Sequence, residues 1–152
     1  MSKDLSDLQL LRELEPVVEK NINRHMTMRK DWNPHDYIPW SDGKNYYALG
    51  GKDWDPEESK LSEVAQVAML TNLLTEDNLP YYTSLFSSFF DGESPMVRWS
   101  RLWTAEEGQH SIAMRSYLMT SRNCEPNSLE DDRLATVEAG WNGCFETVVD
   151  MF

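Results

Sequence analysis

From Leu5 to Met26 the apolar residues Leu5, Leu8, Leu11, Leu14, Val18, Ile22 and Met26 follow one another at steps of three and four. That spacing puts them on one face of an α-helix. It predicts a first helix over about Asp4 to Met26, with Pro16 a candidate kink because it removes a backbone donor. The period is then lost. Residues 31–55, DWNPHDYIPWSDGKNYYALGGKDWD, mix Pro, Gly, Asp and aromatic residues. This predicts a long ordered loop whose Trp32, Tyr37 and Trp40 pack on the helices, disorder being disfavoured by the aromatic content.

Helical spacing resumes after Asp55. Asp55 reads as an N-cap, Pro56 as the first helical residue, and Glu57 and Glu58 stand where the helix dipole favours anions. The apolar face of this second helix runs Ala65, Met69, Leu73, and its next member is Glu76. Asp91-Gly92-Glu93-Ser94-Pro95 predicts a turn, with Ser94 as cap and Pro95 opening the next helix. That helix carries the stripe Trp99, Trp103, Glu107, His110, Met114 and Leu118, so Glu107 and His110 lie within an otherwise apolar face. With no convincing strand and no repeat, the pattern predicts an all-α fold of four or five helices in one domain over residues 1–152.

A short turn between long helices makes them antiparallel neighbours. Glu76 lies fifteen residues before Asp91 and Glu107 twelve after Pro95. At about 1.5 Å rise per residue the mismatch is about one helical turn, which a tilt absorbs. Glu76, Glu107 and His110 are therefore expected on one level of the interior. A carboxylate in a core must protonate, pair or bind a metal, and two acids with an imidazole have a common partner in a divalent ion. A hydrogen-bonded polar pair is the plainer alternative for Glu107 and His110.

Composition narrows the function classes. A net charge of −12 over 152 residues excludes a nucleic-acid binder that works by counterion release. Against that background Lys20, Arg24, His25, Arg29 and Lys30 form a local basic patch, either a solvated helix end or a contact for an acidic partner. No apolar run is long enough to span a bilayer, and MSKDLSDLQL lacks a secretory pattern, which together predict a cytoplasmic protein. Cys124 and Cys144 lack metal-ligand spacing and read as free thiols in a reducing compartment.

TEDNLPYY (75–82) followed by RWSRLWTAEEGQH (98–110) resembles the soluble acyl-ACP desaturases, especially the actinobacterial type. DLQLLRELEPVVEKNINRHM, DWNPHDYIPW and DWDPEESKLSEVAQVAML extend the resemblance over roughly residues 1–120. It implies a ferritin-like helical bundle holding two irons as Fe2+. It also implies electrons from ferredoxin, and O2-dependent insertion of a cis double bond into a fatty acyl chain on acyl carrier protein. Matched position by position, it makes Glu76 a terminal iron ligand, Glu107 a bridging carboxylate and His110 the ligand beside it, with Glu106 an outward neighbour. Lys20, Arg24, Arg29 and Lys30 then become the candidate contact for acyl carrier protein. Met69, Leu73, Phe86, Trp99, Trp103 and Met114 become candidates for holding the acyl chain, each also readable as plain core. Pro80 would leave the Glu76 carbonyl without its helical donor, or else mark a helix restart.

Two departures qualify the resemblance. The family usually reads Glu-Glu-Asn-Arg-His-Gly where this chain has Glu106-Glu107-Gly108-Gln109-His110-Ser111, which keeps the ligand spacing, adds a helix-weakening glycine and loses an arginine near the site. The family's second Glu helix and second Glu-x-x-His helix would follow CFETVVDMF, and no other Glu-x-x-His occurs. Three readings follow. The chain is a short or truncated desaturase, with Val148, Val149, Met151 and Phe152 starting a helix that missing residues would bury. Alternatively a homodimer completes the di-iron complement from two half-sites, each giving one Glu and one Glu-x-x-His, and binds or oxidises iron. Or the protein is a non-catalytic acyl-ACP-binding or scaffolding remnant.

Overall fold

The computed structural model describes residues 6–90, 92–141, 143–147 and 149–151, the last by its backbone alone. Leu5, Asp91, Val148 and Phe152, on which parts of the sequence reading fall, lie outside the described residues. Among the described residues there are five α-helices and no strand: α1 (Asp7–Met28), α2 (Glu63–Asp77), α3 (Leu79–Phe89), α4 (Pro95–Thr120) and α5 (Pro126–Ala139). No helix among them is long and apolar enough to cross a membrane.

Two compact units are present. One contains the described residues of Met1–Asp31, Pro80–Ala105 and Trp141–Phe152. Its first helix begins at Ser6, which closes a capping box with Gln9, and runs through Pro16 without interruption. Leu11 and Ile22 of the expected stripe are buried, while Leu8 and Met26 are exposed. Leu11, Phe90 and Met96 form the core, with Leu14, Val18, Phe86, Phe89, Val97 and Trp99 around them. Phe86 meets Trp99 and Trp103 edge-on with ring centroids 5.5 and 5.3 Å apart, a geometry that adds to the area term. Arg98 donates to Glu19 at 2.8 Å. Ser94 does not cap α4 with its side chain, because its buried Oγ has no hydrogen-bond partner.

The other unit contains Trp32–Leu79 and Glu106–Gly140. Leu73 of α2, Leu118 of α4 and Leu129 of α5 are its fully buried centre, flanked by Met69, Leu70, Met114 and Met119. The expected start of the second helix is corrected here. Asp55 does close a capping box, with Glu58, but around the single 3₁₀ turn Pro56–Glu58, and α2 starts only at Ser62, whose side chain accepts from the Ala65 amide. The reason is tertiary: the Ser59 hydroxyl and the Lys60 and Leu61 amides all donate to Oδ1 of Asn123 at 2.8–3.2 Å, which holds those residues out of the helix. The loop before it is ordered, with 3₁₀ turns at Pro34–Tyr37, Trp40–Asp42 and Tyr47–Leu49. Of the three aromatics expected to pack on the helices, Trp32 does so, against His110. Tyr37 and Trp40 are 66% and 57% exposed, Trp40 being held by the loop itself through Nε1 to the His35 carbonyl at 2.9 Å.

The end of α4 needs no glycine. Asn123 N–H donates to the Leu118 carbonyl at 3.0 Å and Arg122 N–H to that of Met119 at 3.3 Å, the bond pattern of a Schellman stop. Arg122 fills the left-handed position with φ 55°, a conformation that disfavours a side chain. The side chain repays it. Arg122 is 3% exposed, donates from Nε to Glu58 at 2.6 Å and from Nη2 to the Lys52 carbonyl at 2.8 Å, and lies 4.4 Å over the Tyr46 ring.

Candidate metal centre

Glu76 stands in the last turn of α2, whose final residue is Asp77. Its place on the Leu73 face points it toward α4, and the helix stops directly after it: Asn78 N–H turns back to the Glu76 and Thr75 carbonyls, and α3 restarts at Leu79 just before Pro80. The proline thus marks a restart, not a distortion within a continuous helix. Glu107 and His110 share one face of α4 at a spacing of three, and His110 Nδ1 lies 2.7 Å from Glu107 Oε2. His110 Nδ1 also lies 3.7 Å from Glu76 Oε1. Among the described residues, Glu76, Glu107 and His110 each offer one donor atom within 4.8 Å of the others. The expected level-matching of the two helices is therefore met.

Their environment is less closed than a core position. The Glu76 and Glu107 side chains are each 25% exposed and that of His110 44%, so one side of the group faces solvent and the desolvation cost is well below that of full burial. Burial, then the neighbouring Glu107 charge, push the Glu76 carboxyl above the usual carboxylate range, with Asp77 adding to the rise and His110 opposing it. A carboxylate raised by a like-charged neighbour gains from any cation placed between them. Two donors on adjacent sites of an ion at about 2.1 Å lie about 3 Å apart, and the 2.7 and 3.7 Å separations bracket that value. Oxygen and imidazole donors suit iron, manganese or zinc, and without thiolate they do not favour soft ions.

Three contacts at this site were not legible from spacing. Trp32, from the aperiodic loop, stacks on His110 with centroids 5.7 Å apart and planes 20° from parallel. Gln109 donates to the Trp32 carbonyl at 3.2 Å. Ser111 Oγ donates to Asp77 Oδ1, tying α4 to α2 one residue beyond a donor on each. The interleaving of Gln109, His110 and Ser111 with an aromatic loop was visible as composition, but nothing in a helical period says which loop residue a helix face meets.

The other candidate residues distribute as core. Met69, Leu73 and Met114 surround the Leu118 centre, and Phe86, Trp99 and Trp103 form the aromatic cluster of the first unit. Lys20, Arg24, Arg29 and Lys30 are all exposed, with Arg29 3.7 Å from Asp31. Cys124 and Cys144 are free thiols, and burial pushes that of Cys124 up to about 11.

Comparison with known proteins agrees in one direction. The fatty acid desaturase family model matches residues 6–148. The chain is 59% identical over 142 residues to DesA1 of Mycobacterium tuberculosis, named as an acyl-ACP desaturase, covering 93% of this chain and 42% of that protein. It is 41% identical over 132 residues to DesA2 of the same organism, covering 87% and 48%. It is 26% identical over 131 residues to a spinach chloroplast stearoyl-ACP 9-desaturase, covering 81% and 33%. The X-ray structure of DesA2 superposes with a TM-score of 0.58 at 36% identity, over 88% of this chain and 47% of that one. The chain spans less than half the length of these relatives.

Proposed function

The chain belongs to the fatty acid desaturase family, whose model spans residues 6–148, and its all-α fold is of that family's ferritin-like kind; from this we propose that residues 1–152 are part of one desaturase domain in which Glu76, Glu107 and His110 hold iron of a di-iron centre. The observation that carries this is the meeting of two carboxylates and an imidazole from α2 and α4 within 4.8 Å, the three residues that the family resemblance implies as ligands. The substrate class is a fatty acyl chain on acyl carrier protein. The net reaction takes two hydrogens from adjacent CH2 groups and, with O2, two electrons from ferredoxin and two protons, yields a cis alkene and two waters. Bound iron supplies the oxidising power to break an unactivated C–H bond, which no protein side chain has.

The chain's own residues supply the setting. Glu107 accepts from or donates to His110 Nδ1, so that pair must exchange its internal bond for ion ligation. Trp32 covers one face of the imidazole and restricts its rotation. The exposed cations Lys20, Arg24, Arg29 and Lys30 on and just after α1 present the charge that an acidic carrier protein selects, with salt-sensitive association.

A homodimeric arrangement is the second reading. Among the described residues three donors gather in this group, whereas a carboxylate-bridged di-metal bundle takes four carboxylates and two histidines; two copies provide that number. Iron analysis and native mass separate the readings. Two irons per dimer support the shared centre, and an iron-free monomer removes it. Incubation with acyl-ACP, ferredoxin, reductant and O2 tests the desaturase reading through the released fatty acids; bound iron with no double bond formed counts against it. Lys20→Glu with Arg24→Glu should weaken carrier-protein binding, and unchanged binding rejects that contact.

A further inference from the structure

Resting on the metal reading above, we infer that the Ser111–Asp77 hydrogen bond is a positioning clasp that sets the spacing of Glu76 against His110 and so the affinity and geometry of the metal centre. Ser111 directly follows His110 on α4, and Asp77 directly follows Glu76 on α2. The Ser111 hydroxyl donates to Asp77 Oδ1, so the bond spans the two helices one residue from the two donors that must approach each other. Glu76 itself stands at a helix end. It lies in the last turn of α2, its backbone carbonyl is taken by the Asn78 amide, and the chain changes direction there. The Leu73–Leu118 packing lies one turn of α2 away. The second Asp77 oxygen, Oδ2, is buried without a hydrogen-bond partner, as is Oδ1 of Asn78. Ser111 is therefore the donor that holds Asp77 in place, and its loss leaves a carboxylate free to swing toward the neighbouring donors.

Partners that orient metal ligands typically contribute 10–100-fold to affinity. The test is titration of the purified full chain with Fe(II) under anaerobic conditions and with Co(II), reading dissociation constant and Co(II) visible spectrum, beside the melting temperature of the metal-free protein. Ser111→Ala and Asp77→Ala should each weaken binding at least tenfold and alter the spectrum. The double variant should be no worse than either single, the signature of one shared interaction. Ser111→Thr, which keeps the hydroxyl, should restore both readings. If one alanine variant does not fold, the other alanine variant and Ser111→Thr still decide the question. Binding and spectra unchanged in Ser111→Ala and Asp77→Ala, while Glu107→Ala and His110→Ala abolish binding, overturn the clasp but not the metal centre. A wild-type chain that binds neither ion overturns both.

Discussion

Two carboxylates of the second unit occupy opposite electrostatic states. Glu58 is held below the usual carboxylate range, first by its hydrogen bond from Arg122. Glu76 is pushed above it, first by burial and then by Glu107. Around Glu58 the strong groups are largely answered: Arg122 Nε donates to Glu58, and Asn123 Oδ1 accepts from three donors, although Arg122 Nη1 is buried without a partner. Around Glu76 a second acid, Glu107, and a half-exposed imidazole gather. The Arg122–Asn123 corner is held by its own hydrogen bonds and costs stability when they are broken. The acidic group raises the Glu76 carboxyl and would be relieved by a cation held among its donors, a distinction that would separate a structural polar cluster from a binding one more sharply than burial does.

Breaking the corner should give the largest effect. Asn123→Ala leaves three donors without their acceptor and should cost about 3–5 kcal/mol, lowering the melting temperature by roughly 10 °C, with metal uptake retained in the folded fraction. Arg122→Gly relaxes the left-handed backbone yet should still destabilise, because Glu58 loses its partner. Breaking the acidic group should reverse the pattern: Glu107→Ala or His110→Ala should abolish iron uptake in a metal analysis while moving the metal-free melting temperature by no more than a few degrees. If either variant unfolds the protein as Asn123→Ala does, the two clusters do not differ in kind.

The pH dependences should have opposite signs. Glu58 binds its proton less readily folded than unfolded, so its stabilisation is present above the unfolded value near 4.5 and is lost as pH falls below it toward the depressed folded value. Glu76 binds its proton more readily folded, so its contribution worsens as pH rises from about 4.5 through its raised folded value. Urea melts of Glu58→Gln and Glu76→Gln against wild type across pH 3–8 resolve the two: near neutrality the first should be less stable and the second slightly more. The smallest expected change is at Gly108, where an added Cβ meets nothing within 4 Å. Gly108→Ala should stabilise α4 by about 1 kcal/mol, and a larger gain would mean that α4 is frayed at the site.

Helical spacing made the site legible because two members of the Trp99–Leu118 stripe and the end of the Ala65–Leu73 stripe were polar, and a stripe carries its own geometry. The same reasoning misplaced the start of α2. Asp55-Pro56 satisfies every local rule for a helix start, and the structure honours those rules for one turn before Asn123, more than sixty residues later, captures the following amides. The end of α4 gave no signal for a similar reason: its left-handed residue is an arginine whose side chain, not its backbone, makes the conformation worthwhile. Tyr37 and Trp40 looked like packing residues by type alone, and type does not distinguish an aromatic ring in a core from one braced within its own loop.

The Trp32 ring lies 5.7 Å from that of His110, which would make the indole an optical gauge of any ion held by that imidazole. An open-shell ion ligated by that imidazole would quench the indole emission, and a closed-shell ion such as Zn(II) would leave it bright. Comparing wild type with Trp32→Phe isolates that one ring from the other tryptophans, so loading, if it occurs, would be followed in real time by light alone, without chelators, radioisotopes or turnover.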